Sequence, residues 1–143
     1  MINILKLQYE YEVCSIDWGE TNTDDAEKWY HDIYDDIKNV LKHTIDETKI
    51  TEIQSDIYYV IHDWNDDGTE SFIVETNKDY EYMYKLWCDK YSRQELNIVA
   101  ICTYIIKFTN NTIDDVKNVK NNIRNKMNEY QVFEELSIEE LCE

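Results

Sequence analysis

The sequence feature that most constrains the fold is the apolar run from Leu96 to Phe108. Its five Ile and Val residues favour a strand, and the scarcity of polar residues predicts burial of that strand on both faces. A competing signal precedes the run, because Ser92 and Glu95 have the spacing of a helix capping box and would make it a buried helix. Periodicity alone does not separate the two possibilities in a short apolar segment. The residue types favour the strand.

The N-terminal part of the chain predicts a strand followed by a helix. Apolar and polar residues alternate from Leu5 to Val13, which is the period of a half-buried strand. The alternation changes phase at Cys14, as a β-bulge would produce. Asp24 and Glu27 then have the spacing of a capping box. An apolar stripe at helical spacing follows them: Trp29, Ile33, Ile37, Val40 and Leu41.

The remaining segments predict a hairpin and two further helices. Two strand-like runs, residues 57–61 and 72–74, flank an Asp-Gly pair, which is a strong hairpin signal. Asn77 and Thr112 are candidate N-caps of the two helices. The apolar stripes of these helices are Tyr80, Tyr84, Trp87 and Tyr91 in the first, and Ile113, Val116, Val119, Ile123, Met127 and Tyr130 in the second.

The predicted order is β-α-β-β-α-β-α, which matches the split βαβ, ferredoxin-like arrangement with an added C-terminal helix. We therefore expect an α+β fold with a four-stranded, mostly antiparallel sheet. One compact domain is expected over residues 1–130, followed by an acidic tail or short helix over 131–143. The last strand of that arrangement is usually an edge strand, yet residues 96–108 are more apolar than an edge requires. Either the added helix covers this edge or the strand order differs; if the run is a helix instead, the fold becomes mostly α.

The chain is strongly acidic, with 14 Lys+Arg against 31 Asp+Glu and a formal net charge of -17. Such a surface repels nucleic-acid phosphates and anionic lipid headgroups, so neither is an expected partner. A basic protein surface, in contrast, is attracted from a distance. Residues 1–64 carry 15 acidic and 5 basic residues, a net charge of -10, and are expected to dominate this attraction.

The sequence predicts a cytoplasmic protein. No run approaches the roughly 18 apolar residues of a membrane helix, and the first residues lack a secretory signal. The four cysteines are scattered without a Cys-x-x-Cys pair, which favours free, reduced thiols. They are Cys14, Cys88, Cys102 and Cys142.

One local pattern resembles a calcium-binding loop. Asp63, Asn65 and Asp67 occupy the first three ligand positions of the sequence Asp-x-Asn-x-Asp-Gly. The twelfth position, which supplies a bidentate Glu in such loops, is Val74. A hairpin turn explains the same residues better, so these three remain weak candidates for a divalent metal and no metal site is predicted.

Catalytic motifs are missing from the sequence. With Gly19 and Gly68 as the only glycines, neither a P-loop nor a dinucleotide fingerprint can form. His31 and Asp35 are four residues apart on the first predicted helix, a spacing that more often gives a surface contact than a catalytic dyad. We therefore expect a protein that is not an enzyme and needs no cofactor.

The most acidic part of the predicted fold is the candidate partner-binding surface. It combines acids of the first helix that lie off its apolar stripe with the polar face of the first strand. These residues are Asp25, Asp32, Asp35, Asp36, Glu10 and Glu12. A second acidic cluster in the C-terminal tail provides a comparison: Glu134, Glu135, Glu139 and Glu140.

The small size, acidity and abundant Ile, Asn, Lys and Tyr resemble the small host-defence inhibitors that phages and viruses with AT-rich genomes encode. Within the chain, Tyr59 to Trp87 resembles part of a phage anti-CRISPR protein in its strand, its Asn65-Asp66-Asp67-Gly68-Thr69-Glu70 turn, its second strand and its following helix. The resemblance implies an acidic face that occupies the basic nucleic-acid channel of an effector nuclease.

Charge and the missing catalytic motifs together favour a non-catalytic inhibitor or decoy that mimics nucleic acid and binds a basic, nucleic-acid-binding host or defence protein. An immunity protein that neutralises a toxin by the same electrostatics is the first alternative. A divalent-metal-binding protein or enzyme is the second.

Overall fold

The computed structural model describes residues 2–14, 23–64, 70–91, 96–109, 113–130 and 137–141. The described part of the chain is α+β, as expected, with the element order β-α-β-β-α-β-α followed by one more strand. A short 3₁₀-helix precedes the second strand, and a π-helical turn, Trp87–Tyr91, extends the second helix. The elements are β1 Ile2–Cys14, α1 Thr23–Thr44, β2 Ile50–Trp64, β3 Glu70–Asn77, α2 Tyr80–Leu86, β4 Leu96–Thr109, α3 Ile113–Met127 and β5 Ser137–Leu141.

The apolar run forms β4, so the strand interpretation is confirmed and the mostly α alternative is wrong. Residues 98–102 are buried on both faces, and beyond them burial alternates with the period of two that a strand requires. The strand order of the sheet is β3-β2-β4-β1-β5. β4 is therefore central and β3 is an edge, so the strand order differs from that of the split βαβ arrangement. This position explains why the run is too apolar for an edge strand.

The C-terminal segment differs from the expected tail or short helix over 131–143. Ser137–Leu141 forms β5, which pairs antiparallel with β1 and makes the sheet five-stranded rather than four-stranded. Leu7 of β1 lies opposite Ile138, and Ile4 lies opposite Leu141. Ile138 and Leu141 thus form apolar cross-strand pairs with β1. The acidic residues around them in the sequence favour an acidic tail instead.

The contacts divide the chain into two compact units. Unit 1 comprises Met1–Tyr9, Trp29–Asp56 and Thr103–Glu143. A hydrogen-bonded tyrosine group lies in its core, where the Tyr104 hydroxyl donates to the Tyr30 carbonyl over 2.8 Å and the Tyr30 hydroxyl donates to Ser55 Oγ over 2.7 Å. Fully buried aliphatic residues of this unit come from β1, α1, β4 and α3: Leu5, Leu7, Ile33, Ile37, Leu41, Ile106, Val119 and Ile123.

Unit 2 comprises Glu10–Lys28 and Ile57–Cys102. α2 packs here against residues of β1, β2 and β4, with Met83 fully buried and the Trp87 indole N–H donating to the Leu96 carbonyl over 2.7 Å. The cluster consists of Val13, Ala26, Tyr59, Ile61, Met83, Trp87, Leu96, Ile98 and Ala100. A smaller cluster consists of Val60, Val99 and Ile101, with Tyr58 packed against it. Its side chains lie on the opposite face of the sheet, because successive residues of a strand point to opposite faces.

Several local predictions lie outside the described residues. These are the turn at residues 65–68, the capping box at Ser92 and Glu95, the cap at Thr112 and the phase change beyond Cys14. At α2 the N-cap is Asp79 and not Asn77: the Asp79 carboxylate accepts the Glu81 N–H, whereas the Asn77 side chain accepts the Asp79 N–H two residues later. None of the described helices is long and apolar enough to cross a membrane.

Candidate interaction surface

The N-terminal half of α1 concentrates negative charge. We call its six carboxylates the α1 acidic segment; within residues 23–36, Lys28 is the only Lys or Arg. Acids in the first turn of a helix are stabilised by the exposed N–H groups and the helix dipole, which gives part of the segment a structural role. The members of the segment are Asp24, Asp25, Glu27, Asp32, Asp35 and Asp36.

Asp24, Asp25, Glu27 and Asp35 are exposed, so their charge is presented to solvent. Asp24 and Glu27 were interpreted from the sequence only as a capping box and not as part of a binding surface. Glu27 also accepts a hydrogen bond from the Tyr59 hydroxyl over 3.4 Å. Burial, with this carboxylate as the next cause, raises the pKa of Tyr59 well above its ordinary value.

Asp32 and Asp36 are half-buried and face the end of α3 within unit 1. The Tyr130 hydroxyl donates to Asp36 Oδ2, and the Tyr130 ring lies 5.4 Å from the Trp29 ring, measured between centroids. Burial and then the hydrogen bond to Asp36 raise the pKa of Tyr130, with a further contribution from Asp32. These two carboxylates therefore contribute to helix packing as well as to surface charge.

The two strand acids do not lie beside the first turn of α1. Tyr11 and Val13 of β1 point to the side of the sheet where the α2 cluster packs. Asp25 is close enough to Tyr11 to raise the pKa of the tyrosine, after burial as the larger cause. Because successive side chains alternate between the faces of a strand, Glu10 and Glu12 lie on the opposite face. The structure therefore separates the predicted surface into the α1 segment and the outer face of β1.

The C-terminal acids also separate. Lys120 Nζ lies 3.3 Å from Glu140 Oε1, which ties β5 to α3. Glu139 is exposed and lies opposite Lys6 on the other face of the β1–β5 pair. Glu134 and Glu135 lie outside the described residues. The described tail acids are thus placed next to basic residues, whereas the exposed acids of α1 form a longer acidic segment.

A shallow groove with a volume of about 330 Å³ lies between α1 and α3 in unit 1. The Asn122 amide donates to Thr44 Oγ1 over 3.0 Å, and Lys126 Nζ pairs with Glu129 Oε2 at 2.9 Å. These four side chains of the groove are thus paired with one another.

No metal site is evident in the described part of the chain, where no three His, Cys, Asp or Glu side chains are grouped to hold an ion. The side chains of the weak metal candidates Asp63, Asn65 and Asp67 lie outside the described residues. Cys88 is exposed and Cys102 is buried, and both are reduced cysteines.

Comparison with known proteins yields no family-model match, no curated protein and no solved structure of significant similarity.

Proposed function

We propose that the protein is a non-catalytic inhibitor that binds, through the α1 acidic segment, a basic surface of a nucleic-acid-binding protein. The observation that carries this proposal is the exposure of Asp24, Asp25 and Asp35 on a helix half that contains one Lys and no Arg. A net charge of -17 adds a long-range attraction toward such a surface. The resemblance to anti-CRISPR proteins makes an effector nuclease in the host cytoplasm the most specific form of the proposal.

The physical basis is competition for the same cations. Lys and Arg side chains that bind nucleic-acid phosphates gain most of their affinity by releasing counterions, and carboxylates on a rigid helix can replace the phosphates. Exposed carboxylates that guide an encounter act mainly on the association rate. The inhibitor should therefore bind more slowly as the salt concentration rises, and it should exclude nucleic acid from the partner.

The test requires a variant that removes charge from α1 without disturbing its packing. The triple variant Asp24→Asn, Asp25→Asn and Asp35→Asn removes three exposed charges and keeps the polar side chains at the start of the helix. It leaves Asp36, which accepts the Tyr130 hydroxyl, unchanged.

A matched control removes three charges elsewhere. Glu81→Gln, Asp89→Asn and Glu139→Gln neutralise exposed acids of α2, the π-helical turn and β5. Both triple variants have a net charge of -14, because each loses three of the negative charges that give -17. A difference between them therefore reports position and not total charge.

The partner is first isolated by affinity capture from host lysate and then purified, and its association with each variant is measured at several salt concentrations. At about 0–1 kcal/mol for each exposed pair, the α1 triple variant should bind roughly tenfold more weakly, mainly through slower association. The control should bind nearly as the original protein does. Displacement of a fluorescent DNA or RNA from the partner should be weakened in parallel.

Equal losses of affinity in the two triple variants would contradict the assignment to α1. A captured partner that binds no nucleic acid, or that keeps its nucleic acid when the protein is bound, would contradict the proposed class of partner.

A further inference from the structure

The first half of β2, residues 50–56 in unit 1, forms a long edge of the described sheet. β3 pairs with β2 through residues 59–64 of β2, and the register is interrupted by a bulge between Val60 and Ile61. The strand order places no other strand of the described sheet on this side of β2. Residues 50–56 therefore present backbone N–H and C=O groups along an edge of about 24 Å, at roughly 3.4 Å per residue.

This edge is long and lacks Lys and Pro, two of the residues that usually prevent strand addition. Natural edge strands are commonly short, or contain Lys, Pro or inward-pointing charges. β5, at the other side of the sheet, has such protection because it is only five residues long. Residues 50–56 contain neither Lys nor Pro, and the β-branched Thr51 and Ile53 favour an extended backbone. The edge is thus suited to accept a further strand.

The opposite side of the same segment is already occupied within the sheet. Lys107 Nζ of β4 lies 3.6 Å from Glu52 Oε2, and Thr109 Oγ1 of β4 donates to the Lys49 carbonyl over 3.4 Å. These contacts fix the segment as a strand. Thr51, Glu52, Gln54 and Ser55 are exposed, so an approaching chain can reach the edge without moving a buried side chain.

We propose that residues 50–56 bind an extended, basic segment of a protein partner, which adds to the sheet as a further strand beside β2. Backbone hydrogen bonds would supply affinity. Glu52, which stays exposed beside Lys107, and the net charge of -17 would favour Lys or Arg in the added strand. Charge argues against a second copy of the chain as the occupant, since each copy carries -17. The basic character of the partner rests on the proposed function, whereas the edge itself does not.

The probe is an eight-residue peptide that alternates Lys and Val, blocked at both ends. It is added to the full ¹⁵N-labelled chain, and amide hydrogen exchange is followed by NMR. Outward-facing amides of residues 50–56 should exchange at least about tenfold more slowly, because a hydrogen-bonded amide exchanges only when its bond opens. Gln54→Lys should weaken binding of the peptide, whereas Asn121→Lys, an equal change at an exposed position of α3, should not.

N-methylation of the peptide provides the sharper control, because it removes N–H donors without changing charge. An added strand turns alternate amides toward β2, so methylation of one alternate set should abolish the protection and methylation of the other should preserve it. If both methylated peptides bind as the unmodified peptide does, the contact is electrostatic only; the edge proposal is then overturned while the proposed function stands.

An uncharged peptide that alternates Thr and Val separates the remaining outcomes. Equal protection by this peptide would overturn the basic character of the added strand, whereas the proposed function, which rests on α1, is tested separately by the two triple variants. Protection of residues 50–56 that grows with protein concentration in the absence of peptide would overturn the proposal in favour of self-association.

Discussion

Replacing Trp87 with Phe should destabilise the protein by about 3 kcal/mol. The indole N–H donates to the Leu96 carbonyl over 2.7 Å, and a hydrogen bond of this kind contributes roughly 0.5–1.5 kcal/mol. Trp87 is 5% exposed, and the smaller ring leaves unfilled volume in the unit 2 core. Lost burial of about 40 Å² and a cavity of similar size in Å³ each cost roughly 1 kcal/mol. The packing therefore contributes roughly twice as much as the hydrogen bond.

Urea unfolding followed by circular dichroism measures this change in the free energy of unfolding. In thermal unfolding the same loss should lower Tm by roughly 10 °C for a chain of this length. Met83→Leu is the matched control, because Met83 is fully buried in the same cluster and the exchange conserves volume, with an expected cost below about 1.5 kcal/mol. A Trp87→Phe variant that loses no more stability than Met83→Leu would refute the contribution of the hydrogen bond and the cavity.

Three further predictions concern charge and pH. Hydrogen bonds from the Thr48 N–H and hydroxyl lower the pKa of Asp46, so the Asp46 carboxylate stabilises the fold above its ordinary pKa of 3.8, and this stability is lost as the pH falls through the lowered pKa. The difference in Tm between Asp46→Ala and the original protein should therefore shrink toward acid pH. Burial raises the pKa of Tyr59, so the neutral phenol stabilises the fold below the ordinary tyrosine pKa of 10.0, and this stability declines at higher pH. Tyr59→Phe should therefore reduce the alkaline decline in the free energy of unfolding, measured with urea between pH 9 and 11. The exposed Lys120–Glu140 pair should contribute at most about 1 kcal/mol, and Glu140→Gln should become silent in thermal unfolding at 1 M salt.

The elements of the fold were predictable because each has a local periodic signal. The alternation from Leu5 to Val13 and the β-branched run of β4 gave the correct strands, and the apolar stripe of α1 gave a helix whose Ile33 and Ile37 are fully buried. The strand order was not predictable from periodicity, which reports burial but not neighbours. The excess burial of β4 was nevertheless a correct sign of its central position.

The candidate surface was predictable only in part. Helical spacing correctly places Asp25 and Asp35 on exposed faces of α1. It does not reveal that Asp36 accepts a hydrogen bond from Tyr130, because that contact joins residues 94 positions apart. The sequence also grouped Glu12 with Asp25, although strand alternation places Glu12 on the face away from the α2 cluster. Contacts distant along the chain decide which carboxylates are available to a partner.

The central position of β4 has a consequence for the order in which the chain can fold during synthesis. β1 and β2 are made early, but the strand that separates them in the sheet, Leu96–Thr109, leaves the ribosome late. Until then the nascent β1 and the β2–β3 pair expose unsatisfied edges, and long-range pairing of this kind is slow. We expect the growing chain to require protection from aggregation until β4 is complete, since incomplete sheets associate readily with one another. A stalled chain that ends before Leu96 should therefore bind chaperones far more strongly than one that extends past Thr109.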